Sequence, residues 1–411
     1  MKILVINQPL NNRGDESAHK ALIRTIVKEI PEAEITVLFE YDANSDSVKQ
    51  YSVLDSRVHY VIHKPIISKG FRKVSQWGLK TGVHIVWHLH PGISSWLKYY
   101  KDTDFVLCAP GGINMGGFQS WYHLFNLYCA KIFNKPIAYY GRSIGPFPER
   151  TAANRKFKRI SLELLHYFSY ISIRDKKSEI EINKLGIPYY PVLDSAFLET
   201  PHVDIPVEIL NQIGENPYVV FVPNILIWHY LYKGKATKEK VASFYISIMN
   251  CLFEFYSNYK IVMLPQTFNS ELPEFNDVNF MKMISLIGQD KRVVVISDCY
   301  SSDIQQAIIA KSQLLVGARY HSIVFAINNG VPFLALSYEH KIMGLLETLK
   351  CEDRVIDISN VFETELEMNN VLVNIRKQIC SKFSYTEPRK EAKLLSNNGF
   401  SLFKELLYSK Q

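Results

Sequence analysis

The residues best suited to chemistry lie in the run Arg319-Tyr320-His321, which follows an apolar stretch at residues 314–317. Arginine supplies a permanently charged fork for an oxyanion, and histidine supplies a proton near neutral pH. Lys341 follows the next apolar stretch, so neighbouring strands would bring all three side chains to one sheet edge. Together they predict a pocket for a small polyanion with His321 as proton donor; a structural histidine is the alternative.

A further cationic candidate is Arg174, which follows an apolar run at residues 170–173 and precedes a helical pattern. An arginine beside a helix N-terminus binds phosphate or carboxylate well. Arg174 is therefore a candidate for holding the same anion. The alternative is a structural ion pair with Asp175 or another neighbour.

Two loops in the N-terminal half follow strand-like runs. The first, residues 7–17, leads into a helix and carries Asp15, which could act as a base toward a hydroxyl substrate or could simply cap the helix. The second carries four glycines within residues 111–117, which would let a ligand approach the backbone closely or merely form a tight turn. It matches neither the dinucleotide-binding fingerprint nor a Walker loop.

The strands and helices that position these candidates are predicted by short apolar runs that alternate with segments of helical period. This alternation is typical of a parallel sheet covered on both faces. The predicted strands are residues 3–6, 35–39, 59–62, 105–108, 137–140, 170–173, 218–222, 260–264, 293–296, 314–317 and 333–336. The predicted helices are residues 16–30, 119–133, 152–165, 177–185, 238–255, 303–310, 322–328, 341–349 and 388–408.

Four prolines between residues 188 and 206 interrupt this rhythm and predict a linker. The expected fold is α/β, with two Rossmann-like domains that face each other across a cleft. The N-terminal domain would span residues 1–198 and the C-terminal domain residues 199–385, followed by a helix within residues 386–411.

Composition narrows the class of protein. The chain has 411 residues, and its hydrophobic fraction of 47% excludes a disordered scaffold. Its net charge of +7 is smaller than the positive charge typical of nucleic-acid-binding proteins. Its six cysteines include no C-x-x-C pair, so no metal or redox motif is expected, and scattered thiols suit a reducing compartment. No segment is long and apolar enough to be a spanning helix or a signal peptide, so we expect a cytoplasmic protein.

Residues 56–101 depart from the alternating pattern. They contain no acidic residue, eight lysines and arginines, and three of the five tryptophans. Such a segment suits anionic lipid headgroups, and it predicts peripheral contact with the cytoplasmic face of a membrane. The alternative is a set of solvated helix faces with core tryptophans.

Several motifs occur in the order found in one enzyme family. They are Asn12-Arg13-Gly14-Asp15-Glu16, Gly111-Gly112, Ser143-Ile144-Gly145-Pro146, Ser172-Ile173-Arg174-Asp175 with Ser178, Asp194, Arg319-x-His321 and Tyr338-x-x-Lys341. The sequence thereby resembles the polysaccharide pyruvyl transferase family from the first strand to about residue 350, and Arg-x-His followed by Tyr-x-x-Lys is the most specific part. Residues 56–101 and the stretch after 350 lie outside the resemblance.

The resemblance implies a GT-B-like fold and transfer of the enolpyruvyl unit of phosphoenolpyruvate to two hydroxyls of a sugar, which gives a cyclic pyruvate ketal and phosphate. Arg319, Lys341 and Arg174 would bind phosphoenolpyruvate, and His321 would protonate its methylene carbon. Asp15 would orient or deprotonate the sugar hydroxyl. The residues implied on the acceptor side are Asn12, Gly14, Glu16, Gly111, Gly112 and Asn114.

The acceptor implied is a sugar of a surface polysaccharide, such as a capsule or exopolysaccharide, or of its lipid-linked precursor. No metal, no further cofactor and no nucleic-acid partner is expected, and Asp194 is expected to be structural. One alternative is a GT-B glycosyltransferase with a nucleotide-sugar donor. Another is a non-catalytic, membrane-peripheral binding protein that works through residues 56–101.

Overall fold

The computed structural model describes residues 1–9, 12–39, 48–49, 51–61, 69–268, 276–381 and 385–409. Lys64, part of the predicted basic segment, and the end of the predicted strand 59–62 lie outside these residues. The chain divides into two compact units. The first comprises the described residues of Met1–Leu10, Asp15–Glu199 and Leu394–Gln411, and the second those of Asn11–Gly14 and Thr200–Lys393.

The first unit is built on a parallel sheet. Its strands are β1 (Lys2–Gln8), β2 (Glu34–Phe39), β3 (Val58–Val61), β4 (Phe105–Cys108), β5 (Gly111–Met115), β6 (Ile137–Ile144), β7 (Tyr170–Ile173) and β8 (Tyr190–Pro191). They lie in the order β3-β2-β1-β4-β6-β7-β8, with β5 paired to β6. The helices are α1 (Arg13–Glu29), α2 (Lys69–Thr81), α3 (Ile85–Leu89), α4 (Pro91–Lys101), α5 (Trp121–Ile132), α6 (Ala152–Tyr167) and α7 (Lys176–Lys184), with a 3-10 turn at Ser195–Leu198.

Strand β1 shows why this sequence forms a sheet buried on both faces. Successive side chains of a strand point to opposite faces, so Ile3 and Val5 enter one hydrophobic cluster while Leu4 and Ile6 enter another. All four are at most 1% exposed. An apolar run without polar alternation is therefore satisfied only by helices on both sides of the sheet.

The second unit repeats this plan. Its strands are β9 (Tyr218–Val222), β10 (Lys260–Met263), β11 (Val293–Val295), β12 (Leu315–Gly317), β13 (Phe333–Ser337) and β14 (Val355–Asp357), all parallel, in the order β11-β10-β9-β12-β13-β14. The helices are α8 (Val207–Ile213), α9 (Lys238–Phe255), α10 (Asp277–Gly288), α11 (Ser302–Ala310), α12 (Tyr320–Asn329), α13 (His340–Thr348) and α14 (Glu365–Ile379), with a 3-10 turn at Glu352–Arg354.

The last helix, α15 (Thr386–Ser409), returns to the first unit from Leu394 onward. There Phe403 packs edge-to-face against Phe105, Tyr140 and Tyr170, at ring-centroid distances of 6.0, 5.5 and 5.9 Å. The C-terminal helix therefore covers one face of the first sheet. Within the residues described, no helix combines the length and the apolar character needed to cross a bilayer.

The predicted α/β class with two Rossmann-like domains is confirmed. Most predicted strands agree with the structure to within one or two residues, but β6 continues four residues beyond the predicted end. The strand continues through Gly141, although glycine in a sequence usually predicts the end of a strand. Gly141 adopts a φ of +54° there. Residues 111–115, predicted as a glycine loop, form strand β5 beside the extended β6. That prediction was wrong because glycine's weak strand preference was overridden by pairing with β6.

Candidate active site

Both sheets have a switch point, the place where the order of strands along the sheet reverses direction. In the second sheet it lies between β9 and β12. Ligands of open α/β sheets bind beside the carboxyl ends of the strands at such a point. Asn224 follows β9 and Arg319 follows β12, flanked by Gln266 after β10 and Tyr338 after β13. This edge is the candidate active site.

Arg319 is held by a residue distant in sequence. It occupies the N-cap position of α12, and its Nη2 donates to Oδ1 of Asp277, the first residue of α10. The other oxygen, Asp277 Oδ2, accepts the backbone N–H groups of Gln266 at 3.1 Å and Thr267 at 3.0 Å. Asp277 is only 1% exposed, so one buried carboxylate fixes both Arg319 and the loop after β10.

The Arg319 guanidinium remains charged, and one of its hydrogen-bond donors has no partner among the described residues. Burial alone would lower the pKa of Arg319, but the neighbouring Asp277 carboxylate and the Tyr338 side chain raise it above its usual value. Its Nε is buried and has no hydrogen-bond partner among the described residues. A buried donor without a partner calls for an explanation, and an oxyanion bound there would supply one.

His321 is the second residue of α12 and lies against a segment near the N-terminus of the chain. A Cβ atom on Gly14 would come within 1.8 Å of His321 Nδ1, so the backbone of Gly14 packs directly on the imidazole. The Arg13 N–H donates to the Gln266 carbonyl at 3.0 Å, and Asn12 forms an antiparallel bridge with Thr267. Sequence reasoning assigned Asn12 and Gly14 to the N-terminal domain, whereas residues 12–14 belong to the second unit and its site.

Lys341 lies in the first turn of α13, which follows β13. Strands β12 and β13 pair directly, so the N-termini of α12 and α13 follow neighbouring strands, and both carry the positive end of a helix dipole. Lys341 is half-buried, and its Nζ lies 3.6 Å from Glu339 Oε1. The prediction that Arg319, His321 and Lys341 follow adjacent strands at one edge of the sheet therefore agrees with the topology.

Tyr338, which directly follows β13, contributes a buried hydroxyl at the same edge of the sheet. Its oxygen accepts Asn224 Nδ2 at 2.8 Å, and Asn224 Oδ1 accepts Trp228 Nε1 at 3.4 Å, which fixes the orientation of the amide. Burial raises the pKa of Tyr338, an effect that nearby Arg319 opposes only in part. The hydroxyl is therefore protonated at neutral pH, and because it accepts from Asn224 it can direct its own proton elsewhere.

The loop after β9 adds an aromatic rim that sequence reasoning missed. Trp228 is 44% exposed and Tyr230 is 78% exposed, and His229 between them packs edge-on against Tyr338 at 5.1 Å. Leu226 adopts a φ of +60°, a strained conformation for a branched side chain that is often found at functional sites. The available signal was the run Trp228-His229-Tyr230 shortly after a predicted strand end.

Arg174 belongs to the first unit, and its structural alternative is supported. Its Nη1 pairs with Asp194 Oδ2, and the Asp194 side chain is fully buried. Asp194 also accepts the Ala196 N–H at 3.0 Å, in keeping with its expected structural role. Asp175 is instead the N-cap of α7. The Arg174–Asp194 pair fixes the guanidinium against the linker. The assignment of Arg174 to phosphoenolpyruvate stays a prediction.

The two predicted carboxylates at the start of α1 differ in availability. Glu16 is fully buried and pairs with Lys20 at 2.7 Å, as a structural carboxylate would, and its assignment to the acceptor side stays a prediction. Asp15 is partly exposed and lies in the first turn, because the helix begins at Arg13. The N-cap interpretation of Asp15 was therefore wrong, whereas its role as a base stays a prediction.

The predicted glycine loop of the first unit is shaped by an arginine. The side chain of Arg142, 1% exposed, donates to the carbonyls of Ala109 at 2.6 Å and Asn7 at 2.8 Å. A Cβ on Gly111 would meet this guanidinium at 3.1 Å.

Two further residues of the predicted acceptor side lie on the same strand. Asn114 is 9% exposed, and its Nδ2 lies 3.3 Å from His123 Nδ1. Gly112, by contrast, is exposed, and a Cβ there would meet no atom within 4 Å. Of Gly111, Gly112 and Asn114, Gly112 is therefore the one accessible to a ligand.

Comparison with solved structures defines the class of fold. The chain is similar to UDP-GlcNAc 2-epimerase from Methanocaldococcus jannaschii, with a TM-score of 0.58, 12% identity and coverage of 99% of this chain and 100% of the other. It is also similar to the trehalose 6-phosphate synthase from Burkholderia multivorans, with a TM-score of 0.53, 10% identity and coverage of 99% and 97%. These enzymes have the GT-B fold, which this chain shares.

Sequence comparison defines the family. Residues 12–340 match the family model of polysaccharide pyruvyl transferase. The chain is also 22% identical over 397 residues to the amylovoran biosynthesis protein AmsJ of Erwinia amylovora, which covers 91% of this chain and 92% of that protein. The chain belongs to the polysaccharide pyruvyl transferase family, and it is a transferase of polysaccharide biosynthesis.

Proposed function

We propose that this enzyme transfers the enolpyruvyl unit of phosphoenolpyruvate to two hydroxyls of one sugar and forms a cyclic pyruvate ketal. The observation that carries the proposal is Arg319, a charged guanidinium fixed by Asp277 with its buried Nε still open, next to His321 on α12. Phosphoenolpyruvate offers the two oxyanions, a carboxylate and a phosphate, that such a site suits.

The donor would be held by Arg319, by Lys341 and by the N-terminal N–H groups of α12 and α13. Helix N-termini favour phosphate because their N–H groups lack partners within the helix and carry partial positive charge. The same groups would stabilise the phosphate as it leaves. The Tyr338 hydroxyl, protonated and held by Asn224, would donate a hydrogen bond to an oxygen of phosphoenolpyruvate.

His321 would move the proton. The first sugar hydroxyl oxygen bonds to the carbon that bears the phosphate, while His321 protonates the adjacent methylene carbon to a methyl group. The second hydroxyl oxygen then displaces phosphate from the same carbon and closes the ketal ring. One hydroxyl proton returns to His321 and the other leaves to a base, for which Asp15 is the proposed group.

The acceptor would be a sugar of an extracellular polysaccharide or of its lipid-linked precursor. The aromatic faces of Trp228 and Tyr230 offer surfaces on which a sugar ring can pack. We place the reaction in the cytoplasm, at the membrane face where a lipid-linked precursor would be reached. The chain's free cysteines fit a reducing compartment. The proposed reaction uses no metal and no cofactor besides its co-substrate.

A nucleotide-sugar glycosyltransferase is the second candidate, because a similar solved structure holds a UDP-sugar. It is the UDP-GlcNAc 2-epimerase from Neisseria meningitidis bound to UDP-GlcNAc. That enzyme is 14% identical to this chain with a TM-score of 0.54. This likeness concerns the fold alone. The Arg319 Nε–H could equally bind a diphosphate, so the identity of the donor substrate must be tested directly.

The test measures phosphate release from phosphoenolpyruvate with a panel of lipid-linked and model galactosides, glucosides and mannosaminides. We expect release that depends on one sugar, with a product heavier by the pyruvate ketal. His321→Ala should still bind phosphoenolpyruvate in calorimetry while turnover collapses. Binding of a UDP-sugar but not of phosphoenolpyruvate would overturn the proposal in favour of the second candidate. Near-normal turnover of His321→Ala would remove His321 as the acid.

A further inference from the structure

The basic, tryptophan-rich segment resolves into a buried part and an exposed part. Trp87 is fully buried, and Trp96 is 1% exposed with its Nε1 donating to Asn126 Oδ1 at 3.0 Å. These two tryptophans build the core of the first unit, as the alternative interpretation held. Trp77 differs, because it is 49% exposed on α2. Any surface role of this segment must therefore centre on Trp77.

Helix α2 separates its inner and outer faces sharply. Phe71 and Leu79 are buried, and Gly78 packs so closely on Trp87 that a Cβ would lie 2.2 Å from the indole nitrogen. The exposed side chains on the other face are Arg72, Lys73, Trp77 and Lys80. Lys73 and Lys80 lie four residues before and three after Trp77, on the same helix face. The Lys80 ammonium lies 4.6 Å from the centre of the Trp121 ring.

Helix α3 adds exposed aliphatic side chains next to this face. Ile85 is 64% exposed and Leu89 is 76% exposed, and they lie one helical turn apart. A groove of about 590 Å³ joins the two helices, lined by Lys73, Val74, Gln76, Trp77, Lys80 and Val86. Large apolar side chains grouped on a surface usually mark a place where a partner covers them.

The chemistry of the segment selects the partner. No acidic residue occurs from Ser56 to Lys101, so its charge is entirely positive. A tryptophan flanked by lysines, with aliphatic tips beside it, matches the boundary of an anionic bilayer. There the indole lies at headgroup depth, aliphatic tips reach the acyl chains and ammonium groups meet lipid phosphates. An acidic protein or a soluble polyanion would leave Ile85 and Leu89 without a role.

We propose that Arg72, Lys73, Trp77, Lys80, Ile85 and Leu89, here the α2–α3 face, dock the enzyme onto an anionic lipid bilayer. The inference stands on these exposures and charges and does not depend on the catalytic chemistry. If the proposed function also holds, docking would bring the enzyme to lipid-linked acceptors.

The test is sedimentation of the full-length protein with phosphatidylcholine vesicles containing 30% phosphatidylglycerol, compared with pure phosphatidylcholine. We expect binding to the anionic vesicles at low salt and about a tenfold loss of partitioning when the salt screens the lysines. The double variants Trp77→Ser/Leu89→Ser and Lys73→Glu/Lys80→Glu should each lose most of this binding. Brominated lipids should quench tryptophan fluorescence in the wild type, and much less in Trp77→Phe.

Matched controls lie in the second unit. Leu286→Ser removes an aliphatic side chain that is 75% exposed, and Lys291→Glu/Lys311→Glu makes the same charge change as the docking variant. Both should bind vesicles as the wild type does, and thermal melts check that every variant folds.

Three results would overturn the inference. They are a wild type that stays in the supernatant, equal binding to neutral and anionic vesicles, and a dimer in solution that Trp77→Ser/Leu89→Ser dissociates. None of them concerns phosphate release, so a failure of docking is distinguishable from a failure of the proposed chemistry.

Discussion

Gly14→Ala is the sharpest test of His321, because it moves the imidazole without altering it. Gly14 is the second residue of α1, where alanine is the better helix former by about 1 kcal/mol. The added Cβ would nevertheless lie 1.8 Å from Nδ1, 2.1 Å from Cγ and 2.4 Å from Cε1 of His321. The helix accepts the methyl group, whereas the imidazole cannot stay in place.

The size of the effect follows from these distances. Ordinary contact between carbon and ring atoms is about 3.5–4 Å, so the ring must withdraw by roughly 1.5 Å or rotate away. A misplacement of about 1 Å can cost about a hundredfold in rate, or about 2.7 kcal/mol. Arg319 is fixed from the other side by Asp277, so affinity for phosphoenolpyruvate should change little.

The assay compares kcat for phosphate release with phosphoenolpyruvate affinity from calorimetry. Gly344→Ala is the matched control, because a Cβ at that helical position in α13 meets no atom within 4 Å. In a His321→Gln background, Gly14→Ala should cause no further loss, since the two changes disable one group. Wild-type turnover in Gly14→Ala, or fully additive losses in the double variant, would refute the reasoning.

Three further outcomes are expected. Asp277→Asn should weaken phosphoenolpyruvate binding about tenfold, since Arg319 loses its partner; Asp290→Asn, which breaks a surface pair with Arg292, should not. Tyr230→Ala, which removes an aromatic side chain that is 78% exposed, should raise the acceptor KM about fivefold with donor affinity unchanged, measured by initial rates. Burial, helped by Lys20 and Arg24, lowers the pKa of His19 from 6.5 to about 3, so acid favours the unfolded chain. Between pH 7 and 5 this should cost about 2 kcal/mol in urea denaturation, a loss that His19→Gln should abolish.

The sequence predicts the fold better than the site because the two depend on different ranges of contact. Strands β4, β7 and β9 have the predicted bounds, since an apolar run flanked by polar residues defines a buried strand locally. Asp277, which fixes Arg319, lies 42 residues away along the chain, and no local pattern links the two. The sequence assigned Gly14 to the N-terminal domain, but its backbone packs on His321 within the second unit. Such relations arise from tertiary packing.

Ionic strength should separate the catalytic site from the α2–α3 face. Each proposed donor-binding cation has a nearby carboxylate, Asp277 for Arg319 and Glu339 for Lys341, so the pocket gains little from net charge. Donor binding would then depend on directed hydrogen bonds from buried groups, which salt screens weakly. The exposed lysines of the α2–α3 face have no acidic neighbour in their own segment, and salt should screen them strongly. From 50 to 500 mM salt, we therefore expect phosphoenolpyruvate affinity to fall by less than about threefold while vesicle partitioning falls about tenfold. An equal decline of both would mean that the pocket binds its anion by bulk charge, and that the carboxylate partners do not define it.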